Sequence, residues 1–296
     1  MKGMDRRKQP DRKIWLLAAC VLTGVAVLAC CLWLGGTADK AAPGELVITN
    51  LDVGKGDACV IRYNDFTGVI DTGIRERYSV ISDYLEDNGI ETLDLLILTH
   101  FDRDHIGGAE RLMEKYPSAK LVVPDYRSEK DSFLSLQNAL AAREDVDRLS
   151  TPAAYSVGEL LWEVYPAGDE NSFAGDEASF DNNMSLVVML TYGERRFLFT
   201  GDIESDRIDE MLTAGYDLHA DWIKMPHHGD YQKAQKALLR AVGPAYAVIS
   251  TGREQPVEDK TVNLLAAHSV SYYSTADGAV ITRCDGKSVS VEQQTK

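Results

Sequence analysis

Four of the six histidines in this 296-residue chain fall in two short segments, each at the end of an apolar run. In the first, Leu95-Leu96-Ile97-Leu98-Thr99 leads into His100-Phe101-Asp102-Arg103-Asp104-His105, which sets four potential ligands within six positions. In the second, Trp222-Ile223-Lys224-Met225-Pro226 leads into His227-His228-Gly229-Asp230. A third run, Phe197-Leu198-Phe199-Thr200-Gly201, ends on a lone carboxylate, Asp202. Loops that leave the C-terminal ends of strands can aim several side chains at one point. Imidazole and carboxylate at such a point are the donors of a divalent-metal site. A charged turn with a helix cap at Asp104 would account for one aspartate, but not for two histidines bracketing two aspartates. His219 and His268 stand alone and read as ordinary surface or half-buried residues.

The elements that must position these loops alternate along the body. Short β-rich runs are expected at Glu45–Leu51, Ala58–Tyr63, Gly68–Asp71, Leu93–Thr99, Lys120–Pro124, Leu160–Tyr165, Ser185–Tyr192, Arg195–Thr200 and Trp222–Met225. Four more follow at Ala245–Ser250, Val270–Tyr273, Ala279–Thr282 and Ser288–Val291. Amphipathic periodicity predicts helices at Tyr78–Asn88, Gly107–Tyr116, Asp131–Ala142, Glu204–Ala214, Lys233–Val242 and Lys260–His268. Early strands come as hairpins, with Tyr192-Gly193-Glu194-Arg195 as a two-residue turn, while later ones alternate with helices. That mixture predicts an α/β fold of two mixed sheets packed face to face with helices outside. Pro166 to Asn183 is a long polar loop with five carboxylates, either a solvated excursion or a flap beside the site.

Charge divides the chain in two. The first 13 residues hold Lys2, Arg6, Arg7, Lys8, Arg12 and Lys13 against Asp5 and Asp11, whereas the whole chain carries a formal charge of -15. Residues 14–34 are free of charge, about 31 Å of helix at 1.5 Å per residue, enough for a hydrocarbon core of about 30 Å. We therefore expect a basic cytoplasmic leader (1–13), a transmembrane or signal-anchor helix (14–34), a breaker-rich linker (35–44) and an exported catalytic body (45–296). Cleavage after Ala38, which would give a secreted body, and lipidation at Cys30 are the alternative fates of the leader. Only Cys59 and Cys284 lie in the body, either as one bridge or as two separate buried thiols, which excludes a cysteine-based metal cluster there. So acidic a body argues against tight, long-footprint binding to a phosphate backbone, because that affinity comes largely from Lys and Arg. No stable nucleic-acid partner and no obligate protein partner is expected. A small or briefly held anionic substrate is allowed.

These motifs resemble the metallo-β-lactamase-fold hydrolases, and most closely the hydrolase domain of the ComEC-type DNA-uptake proteins. The resemblance runs through Leu51-Asp52-Val53-Gly54-Lys55-Gly56-Asp57-Ala58, Ile70-Asp71-Thr72-Gly73 and the His100 loop. It continues through Asn183-Met184-Ser185-Leu186-Val187, Phe199-Thr200-Gly201-Asp202 and Pro226-His227-His228-Gly229. It implies an αββα four-layer sandwich with two divalent ions, Zn²⁺ or Mn²⁺, between the sheet ends. Asp102 stands where the wider superfamily has a histidine, which favours oxygen-preferring ions such as Mn²⁺. By this likeness His100 and Asp102 hold one ion and Asp104 and His105 the other, Asp202 bridges them, and His227 in preference to His228 completes the second. Asn183 and Ser185 occupy the place of a third histidine, either binding the metal weakly or through water or making the turn that opens a strand. Asp57 and Asp71 support the ligands or the Gly-rich turns, and Lys55 replaces a glutamine and is a candidate to face a phosphate. The chain departs from its likeness in two further places. Arg253-Glu254-Gln255-Pro256 replaces a stretch that carries a histidine in relatives, and Asp230 replaces a serine.

The implied chemistry is hydrolysis by a metal-bound hydroxide, with Asp104 and Asp202 as catalytic residues, since two ions can acidify water and polarise the scissile group. The first reading is an exported, membrane-anchored phosphodiesterase, with a ComEC-like nuclease for single-stranded DNA as its extension. Hydrolysis of a small phosphodiester, lactone or cell-envelope ester is the second. A non-catalytic exported binding module on the same fold is the third.

Overall fold

The computed structural model describes residues 41–168, 173 and 179–294. The leader, the 14–34 span expected to cross the membrane, most of the linker and the middle of the acidic 166–183 stretch lie outside these residues. Among the described residues no helix is long and apolar enough to cross a membrane.

The strands in chain order are β1 (Leu46–Asn50), β2 (Ala58–Tyr63), β3 (Phe66–Thr72), β4 (Leu95–Ile97), β5 (Lys120–Pro124), β6 (Val146–Leu149), β7 (Ala153–Val157) and β8 (Leu160–Tyr165). They continue as β9 (Val187–Tyr192), β10 (Arg195–Phe199), β11 (Trp222–Lys224), β12 (Tyr246–Ile249), β13 (Ser271–Ser274), β14 (Val280–Cys284) and β15 (Val289–Gln293). The helices are α1 (Tyr78–Asp87), α2 (Arg103–Ile106), α3 (Ala109–Lys115), α4 (Asp131–Ala141), α5 (Phe180–Asn183), α6 (Ser205–Ala214), α7 (Gln235–Val242) and α8 (Asp259–Ala267).

Two sheets form, in the orders β15-β14-β1-β2-β3-β4-β5-β6 and β13-β12-β11-β10-β9-β8-β7. Each is antiparallel on one side and parallel on the other. The switch falls between β3 and β4 in the first sheet and between β10 and β11 in the second. The expected hairpins make the antiparallel halves, and helical crossovers make the parallel halves. Three buried clusters account for four layers. Leu46, Ile48, Ile61, Trp162, Phe197 and Trp222 pack between the sheets. Ile81, Leu85, Leu112 and Leu136 join the first sheet to α1, α3 and α4. Ile208, Met211, Leu238 and Leu265 join the second to α6, α7 and α8. The αββα sandwich expected from the resemblance is the fold observed.

Two strands, β6 and β7, were not expected. They form one edge of each sheet, are joined by Ser150-Thr151-Pro152, and their half-exposed sequences (VDRL and AAYSV) carry little apolar signal. The register of β1 also decides the cysteine question. Cys59 pairs opposite Asn50 on one side of β1 and Cys284 opposite Leu46 on the other. Four residues along a strand is about 13 Å, well beyond disulfide reach. Both are free, buried thiols.

Candidate metal centre

The chemistry-bearing loops leave one edge of the sandwich. Ile70 of β3, Ile97 of β4 and Val122 of β5 lie in register, as do Phe199 of β10, Lys224 of β11 and Val248 of β12. Asp71, in the last residues of β3, and His100, Asp202, His228 and Ser250, just beyond their strands, therefore all lie at strand ends on the same side. The Leu186 N–H donates to the Thr99 carbonyl (2.8 Å), tying the two sheets together at this edge.

Backbone geometry at the site is unusual. Among the described residues five non-glycine positions have positive φ, and three of them are Asp71 (58°), His227 (47°) and His228 (53°). Such conformations cost of order 1–3 kcal/mol each and persist where the surroundings impose them. Gly201 has φ of 53°, and a Cβ there would lie 2.8 Å from Ser185 Cβ, so the chain reaches Asp202 only with glycine before it. At Gly107 a Cβ would meet the Arg75 backbone nitrogen at 2.3 Å, which fixes how closely the His105 helix packs on the preceding turn.

Each histidine is oriented by a partner on its Nδ1 side. The Asp71 carboxylate accepts the Thr99 N–H at Oδ1 (2.8 Å), and at Oδ2 it accepts the Thr99 hydroxyl (2.7 Å) and His105 Nδ1 (2.8 Å). Because the Thr99 hydroxyl proton is committed to Asp71, His100 Nδ1 at 3.1 Å must donate to Thr99 Oγ1. That leaves His100 Nε2 with a lone pair, buried and without a hydrogen-bond partner. His228 Nδ1 donates to the Ser250 carbonyl (3.0 Å), which likewise turns its Nε2 inward. This is the outer support that fixes tautomer and orientation in metal sites.

On the inner side the donors converge. His105 Nε2 is 3.2 Å and His228 Nε2 3.0 Å from Asp202 Oδ2, and His228 Nε2 is 3.2 Å from Asp104 Oδ2. Asp202 Oδ1 is buried without a partner. Asp57, His105, Asp202 and His228 can present ligand atoms within 4.8 Å of one another. Asp57, however, approaches the histidines from their Nδ1 sides, at 4.0 Å from His105 and 3.8 Å from His228, and its Oδ2 lies 2.5 Å from Lys224 Nζ. We therefore read Asp57 as backing the imidazoles, and Asp104, His105, Asp202 and His228 as the N₂O₂ donor set. Two imidazole nitrogens and two carboxylates at one point suit a divalent ion.

The proton affinities carry the same imprint. Burial disfavours charge on every one of these groups, yet the carboxylates of Asp202 and Asp71 outweigh it and hold His105 well above the usual imidazole range. For His228 burial is again overcome, by Asp202 and Asp104, and its pKa is raised to about 9. The two imidazoles in turn overcome the burial penalty at Asp202 and keep its carboxyl well below the usual range. The metal-free site therefore balances its negative charge with imidazolium protons, which a metal ion would displace. His100 differs, because burial, reinforced by His105, holds it well below the usual range and so neutral.

The structure separates the two adjacent histidines. His228 is buried among the carboxylates, while His227 turns away, with Nδ1 3.6 Å from Glu204 Oε1. The preference for His227 as a ligand is thus reversed: the left-handed backbone at both positions swings the second ring inward. Asn183 and Ser185 face backbone rather than the donor cluster. Asn183 Oδ1 accepts the Glu204 N–H (2.9 Å) and Ser185 Oγ the Asp202 N–H (3.2 Å). Lys55 is ion-paired with Asp230 at 2.8 Å, so two departures from the family pattern face each other at the rim. Asp102, 23% exposed, is ion-paired with Lys130, with burial raising its pKa.

Lys224, Lys130 and Asp181 escaped the sequence reading. Lys224 carried a signal, being the one charged residue in an otherwise apolar run between Trp222 and Pro226. Asp181 carried only its place in the Pro166–Asn183 stretch, two residues before Asn183, and Lys130, in a polar stretch far from either histidine motif, carried none.

Comparison with known proteins agrees with this architecture. Residues 51–253 match the family model described as the metallo-beta-lactamase superfamily. The chain is 30% identical to ComE operon protein 3 of Bacillus subtilis over 78% of its own length and 32% of that protein's. It is 28% identical to Recombination protein 2 of Haemophilus influenzae over 71% of its length and 24% of the relative's. With competence protein ComA of Neisseria gonorrhoeae the figures are 25%, 80% and 32%. The chain thus spans a third or less of these relatives. Among solved structures, the metallo-beta-lactamase fold protein YhfI from Bacillus subtilis covers 84% of this chain and 100% of its own, with a TM-score of 0.53 at 12% identity, a likeness of fold. Strand-end histidines, an αββα sandwich and the match over residues 51–253 lead to one conclusion: the chain belongs to the metallo-beta-lactamase superfamily, a fold of metal-dependent hydrolases, and its body is a ComEC-like hydrolase domain.

Proposed function

We propose that this chain is a metal-dependent phosphodiesterase, exported and anchored through residues 14–34, that acts on a small or single-stranded phosphodiester. The observation that carries the reading is the convergence of Asp104, His105, Asp202 and His228 at a strand-end edge, in a body otherwise rich in acid. These four residues would hold an inner divalent ion. His100 Nε2, Asp102 and the unpaired Asp202 Oδ1 would hold an outer one, with Zn²⁺ and Mn²⁺ as the candidates. Bound there, such ions supply Lewis acidity and lower the pKa of water from about 15.7 toward roughly 7.

The chain's own residues do the rest. Asp71 and Ser250 lock the imidazoles with their Nε2 atoms inward. Asp202 meets both histidines with Oδ2 and keeps Oδ1 buried and uncommitted, so it would have an oxygen to offer each ion. Asp104, with a side chain 28% exposed, is the carboxylate of the cluster most open to solvent. Against burial, His228 and His105 hold its carboxyl well below the usual range, so it stays ionised and is placed to orient an attacking water. The Lys55–Asp230 pair gives the rim one cation whose charge is already balanced. An acidic body with a rim of this kind favours a small phosphodiester over a long nucleic-acid track, and the likeness to competence proteins keeps single-stranded DNA as the extended substrate.

The test is turnover of bis-p-nitrophenyl phosphate, short single-stranded DNA and a lactone by the purified protein with Mn²⁺ or Zn²⁺. Phosphodiester turnover that depends on metal and falls at least about 100-fold in Asp202→Asn is expected. Turnover of the lactone alone would move the assignment to an esterase. Bound metal with no turnover of any of the three would favour the binding module.

A further inference from the structure

We propose that the two metal positions are unequal and that Lys130 makes them so: its ammonium competes with the outer ion for Asp102, so that the inner position fills first. This rests on the two-position reading above.

The inner position has four converging donors, whose two imidazoles are each fixed from behind. The outer position is poorer on three counts. Its uncommitted donors are His100 Nε2 and Asp202 Oδ1, both buried without a partner, whereas its third, Asp102, is ion-paired with Lys130. The ammonium is held from a second direction, 3.2 Å from Asp181 Oδ2. Asp181 is itself built in: it is 5% exposed and accepts the Tyr126 hydroxyl (2.8 Å), whose oxygen accepts the N–H of Phe101, the residue beside Asp102. Lys130 is therefore triangulated between the start of α4 and α5. Finally, the oxygens of Asn183 and Ser185, which the resemblance sets in place of a third histidine, accept the backbone N–H groups of Glu204 and Asp202.

Divalent affinity grows with the number and charge of available donors, and a fixed monocation beside the site repels a dication. Both effects weaken the outer position alone. The arrangement also has a chemical consequence. With the outer position empty, that end of the centre still carries one positive charge, on Lys130, beside Asp102. When an outer ion takes Asp102, Asp181 keeps the ammonium nearby.

The experiment is calorimetric titration of the metal-stripped protein with Co²⁺ and with Mn²⁺, with elemental analysis for stoichiometry and the Co²⁺ absorption spectrum for coordination. The wild type should bind one ion tightly and a second at least about tenfold more weakly. Lys130→Met should tighten the second site about tenfold and leave the first unchanged, the size expected for removing one charge roughly 5 Å from a dication in a largely aqueous dielectric. Lys130→Arg, which keeps the charge, should retain the wild-type pattern. The Lys130 side chain is 40% exposed, so neither replacement threatens the fold. Two ions of equal affinity in the wild type, or a second constant unmoved by Lys130→Met, would overturn the proposal and leave metal-dependent hydrolysis standing. A wild type that binds no ion would overturn both.

Discussion

Lys224 offers the sharpest test of how the centre is supported. It is 3% exposed at the end of β11, with Nζ 2.5 Å from Asp57 Oδ2 and 3.0 Å from the Met225 carbonyl that it donates to. Burial opposes its charge, but Asp57 and Asp202 more than compensate and raise its pKa. Replacing it with methionine keeps the length and most of the packing, so the cavity term is small. What changes is Asp57, whose Oδ1 already lacks a hydrogen-bond partner and which would lose its nearest cation, keeping only the more distant His105 and His228 imidazoles at 4.0 and 3.8 Å. Stranding one member of a buried ion pair costs about 3–5 kcal/mol. Neutralising a carboxyl of ordinary pKa at pH 7 costs about 4 kcal/mol, which sets the ceiling. We expect Lys224→Met to lose about 3–4 kcal/mol, a large share of the roughly 5–15 kcal/mol typical of a folded protein. The double variant Lys224→Met/Asp57→Asn should recover at least about 2 kcal/mol relative to the sum of the singles. Urea unfolding followed by fluorescence reads this directly, because Trp162 and Trp222 are both fully buried; chelator removes any contribution from metal. A loss below about 1 kcal/mol, or strict additivity in the double variant, would refute the view that Lys224 neutralises Asp57 behind the histidines.

Three other outcomes follow from the same geometry. His228→Ala should lower inner-site metal affinity at least about 100-fold, while His227→Ala, which removes a ring facing Glu204, should change it by less than about threefold; equal effects would mean that both rings ligate. Asp71→Asn keeps the shape but weakens the acceptor of His105 Nδ1, so metal affinity should fall roughly 10–100-fold with little change in fold, as measured by titration and circular dichroism. Because His105 and His228 are held above the usual imidazole range, the metal-free site is protonated at neutral pH and each ion must displace those protons. Apparent metal affinity should therefore rise with pH up to about 9, with about two protons released per inner ion, measurable by calorimetry in buffers of different ionisation enthalpy; affinity independent of pH would contradict the assignment.

Much of this was legible because buried parallel strands leave a strong apolar signal and their ends leave an abrupt one. The run Leu95–Thr99 followed by His100, and Trp222–Met225 followed by His227 and His228, mark the two histidine loops in the sequence itself. The edge strands β6 and β7 were illegible because their few residues hold little large apolar alternation, whereas the equally exposed edge strand β15 still shows it through Val289 and Val291. The choice between His227 and His228 turned on a left-handed backbone at two non-glycine positions, which no local propensity announces. Lys130 and Asp181 are separated by 51 residues and meet only in the fold, so the chain Asp102–Lys130–Asp181 belongs to tertiary structure alone.

The two cysteines bracketing β1 bear on where such a body can operate. Their thiols face the core from opposite flanks of one strand, and burial raises the pKa of both, Cys284 to about 11, so neither is a ready thiolate. The sandwich has no covalent cross-link to gain in an oxidising medium and none to lose in a reducing one. Its folding is therefore indifferent to thiol–disulfide poise, a property that would let the same domain mature on either face of a membrane.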